Sequence, residues 1–126
     1  MTEPRNAEDF KGKGGVRRII NAAGYSRDGL CAALGEAAVR QLLMLHVPLL
    51  LLVFFLDRDT ATKMVLVFAS FFSLIVELFN TAIEAAVDHT SLARHPLAKR
   101  AKDIGSAAQL VALLLLALLW GMALLG

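Results

Sequence analysis

The sequence predicts an all-α membrane protein, with three transmembrane helices preceded by an amphipathic helix on the membrane surface. Three observations lead there. The chain has 126 residues, 57% of them hydrophobic, and a mean hydropathy of +0.62. So short a chain cannot turn that much Leu, Val, Ala and Phe inward, which makes lipid the expected solvent. The apolar residues are gathered into three long segments joined by charged connectors, and a basic stretch of helical periodicity precedes the first.

Residues 1–15, MTEPRNAEDFKGKGG, read as a flexible polar arm ending in a Gly-rich joint. They contain no apolar core of the kind a cleaved signal peptide needs. Residues 16–126 read as a single membrane-embedded domain. Val16, Ile19, Ile20 and Ala23 fall at i, i+3, i+4 and i+7, with Arg17, Arg18 and Asn21 off that stripe. Such a helix lies flat, its basic side toward the headgroups. Gly24-Tyr25-Ser26 is expected to break it, and Leu30 and Leu34 open a second amphipathic piece, the whole covering about 16–34. The first transmembrane helix is expected over about 37–56. Its apolar core, LLMLHVPLLLLVFFL, is shorter than the roughly 20 residues a span needs. Extending it back to Ala37 supplies the length, with Arg40 snorkelling to the interface. Pro48 predicts a kink within it rather than an end. The second helix is expected over about 64–87 and the third over about 104–125, in a stretch without formal charge.

The net charge is only +2, and its placement is more informative than its size. The connector DRDTATK holds two acids and two bases. Asp88 to Asp103 holds Arg94, Lys99, Arg100 and Lys102, and the amino-terminal region holds Arg17, Arg18, Arg27 and Arg40. The positive-inside rule therefore puts the amino terminus and the second connector in the cytoplasm, and the carboxyl terminus on the far side. No basic run carries the interleaved aromatics of a nucleic-acid surface. The single cysteine, Cys31, reads as an apolar filler, and no Cys/His cluster has metal-ligand spacing.

The chemistry is concentrated in VELFNTAIEAAVD, Val76 to Asp88. At about 100° per residue, Ser73, Glu77, Asn80, Thr81, Glu84 and Asp88 share one helical face running to the cytoplasmic end. Lys102, Ser106 and Gln109 cluster on the third helix at the same membrane face, bordered by Asp103. Glu36 and Arg40 stand at i, i+4 where the first helix starts. Ser73, Thr81 and Gln109 read as polar glue between helices, and His46 as a packing residue. Glu77 and Glu84 do not, since an acid in a span costs roughly 2.5–3.5 kcal/mol and cheaper glue exists. Carboxylates with a lysine suit a hard divalent cation on phosphate oxygens. Known phosphate loops, protein-kinase signatures and HExxH are missing from the sequence, and KGKGG follows no strand.

RIINAAGYS (Arg18 to Ser26), GEAAVRQ (Gly35 to Gln41), VELFNTAIEAAVD and RAKDIGSAA (Arg100 to Ala108) together resemble the small integral-membrane diacylglycerol kinases of bacteria. The resemblance covers nearly everything from Arg18 to Trp120. It implies a homotrimer in the bacterial inner membrane, with composite sites between subunits, moving the ATP γ-phosphoryl group to diacylglycerol. Glu77 is then the catalytic base, and Glu36 and Glu84 hold Mg²⁺. Arg18, Tyr25, Glu36, Asn80, Glu84, His95, Lys102 and Asp103 would contact the nucleotide, and Arg18, Arg40, Gln41, Glu77 and Ser106 the lipid. Between Tyr25 and Glu36 the chain is one residue shorter than the family pattern, and Gln109 stands where that pattern has an apolar residue. Polyprenol (undecaprenol) phosphorylation by the same machinery is the alternative. An ion-conducting or transport protomer fits less well, because Val65 to Phe72 offers only Ser70 as a polar step.

Overall fold

The computed structural model describes residues 14–90 and 96–126, and the chain divides between Leu34 and Gly35 into two units. The first unit is represented by helix α1 (Gly15–Leu34). Gly14 leads into it at φ 77, a backbone region that glycine enters without strain. The break expected at Gly24-Tyr25-Ser26 does not occur. One glycine costs a helix only about 1 kcal/mol relative to alanine, and without proline every residue keeps its N–H for the ladder. The apolar side chains of Val16, Ile19 and Ile20 are exposed, as are Arg17 and Arg18.

The second unit holds α2 (Ala37–Phe55), α3 (Thr60–Thr90) and α4 (Pro96–Leu125), each long and apolar enough to cross a membrane. The chain is an all-α membrane protein. α2 continues unbroken through Pro48 and, at 19 residues, reaches about 28 Å, close to a hydrocarbon core of ~30 Å. α3 and α4 are longer than their apolar runs, so charged turns project beyond them. α3 starts at Thr60 because Asp59 caps it, Oδ1 accepting the Thr62 N–H at 2.9 Å and the carbonyl accepting the Lys63 N–H at 3.2 Å. It ends where the Thr90 hydroxyl turns back onto the Ala86 and Val87 carbonyls. α4 begins at Pro96 rather than near residue 104. Proline suits a first helical turn, where an N–H would lack a partner anyway, and Lys99 meets Asp103 one turn on at 2.6 Å.

α3 is the central element and packs against both neighbours. Its buried residues, Leu66, Ala69, Ser70, Ser73, Glu77 and Asn80, form one stripe that is apolar at one end and polar at the other. α2 answers with Val39, His46 and Val53, spaced by sevens, and α4 with Gly105, Gln109, Ala112, Leu116, Trp120 and Ala123. Val53, Leu66, Ala69, Leu116, Trp120 and Ala123 make the apolar core. Arg58, in the α2–α3 connector, ties this end together by donating to the Ala123 carbonyl at 2.6 Å and the Leu124 carbonyl at 3.2 Å. Those carbonyls lie in the last turn of α4 and have no partner within the helix.

Candidate active site

Away from the apolar core, the same three helices bury polar groups against one another. His46 of α2 is wholly buried and lies between two hydroxyls of α3, with Nδ1 3.1 Å from Ser70 Oγ and Nε2 2.9 Å from Ser73 Oγ. Ser70 and Ser73 face it together because they are three residues apart on α3. Ser73 Oγ donates to Gln109 Oε1 of α4 at 2.8 Å. Gln109 Nε2 donates back to the Ser73 carbonyl at 2.9 Å and on to Glu77 Oε2 at 3.1 Å. Gln109 and Ser73 thus do join helices, while Thr81 is half-buried. His46 is buried as expected, but it is a member of the network rather than inert packing. The signal was in the sequence: an ionisable side chain within a span calls for a partner, and Ser70, Ser73 and Glu77 share a face.

Glu77 is the only buried carboxylate among the described residues. Oε2 is engaged by Gln109, and Oε1 makes no hydrogen bond to the described residues. Asn80, one turn on, is also buried, and its Oδ1 has no hydrogen-bond partner among them. Asn80 packs on Gly105 of α4, where a side chain of any size would run into Oδ1. Glu84 is half-buried a further turn along, and the stripe ends at exposed Asp88, which accepts from Lys102 Nζ at 2.9 Å.

The remaining expected residues are dispersed. Glu36 is exposed at the N-cap of α2 in extended backbone, without using its side chain as a cap. Arg40 and Gln41 are exposed in the first turns of α2, and Ser106 is exposed on α4. Asp103 is paired with Lys99. Arg18 and Tyr25 are exposed on α1, in the other unit. His95 lies outside the described residues. Among the described residues no three His, Cys, Asp or Glu side chains gather as a metal cage.

Residues 24–124 match the family model for prokaryotic diacylglycerol kinase. The chain belongs to that family. Similar proteins include a diacylglycerol kinase of Pseudomonas aeruginosa, 52% identical over 93% of this chain and 96% of its own length. One from Helicobacter pylori is 45% identical over 85% of this chain and 84% of its own length. One from Escherichia coli K12 is 43% identical over 84% and 88%. The family match spans Glu36, the whole buried polar network, Glu84, Lys102 and Ser106, and begins after Arg18. Within this kinase family the buried acid on α3 therefore stands in the part of the chain shared with enzymes.

Proposed function

We propose that the protein transfers the γ-phosphoryl group of ATP to the hydroxyl of diacylglycerol, giving phosphatidic acid at the cytoplasmic face of the inner membrane. The observation that carries this reading is Glu77: a carboxylate buried in a membrane helix, held by one oxygen and leaving the other for a proton. The names of the related proteins support the substrate.

Phosphoryl transfer asks the protein for position and charge neutralisation more than for covalent chemistry. Glu77 removes the proton from the lipid hydroxyl as its oxygen bonds to the γ-phosphorus. The bond from that phosphorus to the ADP oxygen breaks, and the proton leaves Glu77 for solvent. Glu84, seven residues on and about 10 Å along the helix, lies toward the phosphate level. Mg²⁺ on the nucleotide would be held by Glu36 and Glu84, and would neutralise phosphate charge. Lys102, whose ammonium now rests on Asp88, can exchange that carboxylate for a phosphate oxygen. The Asn80 amide, with an open acceptor, lies between the two acids. Among the described residues Glu36 and Glu84 belong to no cage of three such ligands. The extensive apolar surface of α2, α3 and α4 leaves room for neighbouring copies, and the reading is completed by a homotrimer with composite sites, in which a second copy contributes to the donor set.

The test uses purified protein in mixed micelles with labelled ATP and either diacylglycerol or a polyprenol. Label should pass to diacylglycerol; transfer to the polyprenol alone would replace the substrate assignment. Glu77→Gln should abolish turnover while ATP still binds, and a variant that keeps its activity would remove Glu77 as the base.

A further inference from the structure

Each hydrogen bond of the buried network can be given a direction. The Ser73 carbonyl and the Glu77 carboxylate only accept, so the amide nitrogen of Gln109 must face both, using both of its N–H groups. Gln109 Oε1 then accepts the single hydroxyl proton of Ser73. Having given that proton away, Ser73 Oγ can only accept from His46 Nε2–H. In the neutral ring Nδ1 is consequently the acceptor, and Ser70 donates to it. Four hydrogen bonds thus run in one direction, Ser70 to His46 to Ser73 to Gln109 to Glu77, across all three helices. Each donor in such a chain is strengthened by the one behind it.

We propose that Gln109 is a positioning residue for Glu77, fed by His46 and Ser73, that holds Oε2 and leaves Oε1 as the oxygen that takes the lipid proton. The assignment rests on the reading of Glu77 as the base. The Gln109 N–H occupies one of the two lone pairs on Oε2 and draws charge toward it, whereas Oε1 has both of its lone pairs unengaged by the described residues and is the oxygen open to the lipid proton. Gln109 cannot pass a proton backward, because an amide N–H is not exchanged in this way during turnover. The chain orients the base and does not relay its proton. The same geometry explains why a buried histidine and two buried serines are kept in a span where apolar residues would insert at lower cost.

The test combines kinetics with an infrared signature. The carboxylate stretch of Glu77 is identified as the band lost in Glu77→Gln. In Gln109→Leu this band should shift, and kcat should fall roughly ten- to a hundred-fold, as for loss of one hydrogen bond to a charged group. KM for ATP should stay unchanged. Ser73→Ala, a smaller change that removes the proton donor to Oε1 of Gln109, should give a lesser loss of kcat in the same pattern, and Ser73→Thr should restore it. An unshifted band in both Gln109→Leu and Ser73→Ala overturns the assignment, as does a loss confined to KM. The two readings fail separately: an active Glu77→Gln removes the base, whereas an inactive Glu77→Gln beside an unaffected Gln109→Leu removes only the positioning role.

Discussion

Gly105 and Asn80 show how one atom can decide a contact. The absence of a Cβ on α4 is what admits the Asn80 amide, and Oδ1 occupies the space a methyl would need. Gly105→Ala should lower stability by about 1–3 kcal/mol, the usual range for overpacking a closed site, measured by thermal unfolding in detergent. If Asn80 serves the nucleotide, KM for ATP should rise in the same variant. The glycine itself was legible in the sequence as part of RAKDIGSAA, but its reason was not, because the distance between two helices is set by neither helix alone. Glu77 and Glu84 were legible because an acid in a span is costly and therefore conspicuous. Gln109 was legible only as glue. Its bond to Glu77 needed the register of α4 on α3.

Helix limits were set by capping groups rather than by hydropathy. The apolar run locates α3 to within a turn, but Asp59 fixes its first residue and adds a turn of polar helix. The hydrogen bonds from Thr62 hold the Asp59 carboxyl below the usual carboxylate range. A carboxyl depressed in the folded state stabilises it above the ordinary aspartate value of about 3.9, and that contribution is lost as the pH falls below it. Asp59→Ala should therefore lower the unfolding temperature at pH 7, with the difference from the parent shrinking as the pH is taken below 4 (roughly the ordinary aspartate value). An equal difference at both pH values would remove the cap as its cause. The expected break in α1 failed because Gly24 and Ser26 are mild breakers and no proline interrupts the ladder.

At the scale of the molecule, large apolar side chains such as Met44, Phe54, Phe68, Leu114 and Leu118 are exposed around α2, α3 and α4. A face this extensive requires lipid or further copies of the chain. Native mass spectrometry of the active enzyme in detergent should give three copies, and full activity in a monomer would overturn the composite site. By itself the sequence determined the membrane, the number of spans, the polar face of α3 and the family. Those follow from composition, from 3.6-residue periodicity and from local motifs, all of which are properties of a linear chain. Tertiary structure alone decided that His46 reaches Ser70 and Ser73, that Gln109 reaches Glu77, and that Asn80 fits over Gly105. Those pairings lie 24 to 32 residues apart in the chain. They depend on the rotation and register of helices packed side by side, which no single helix encodes.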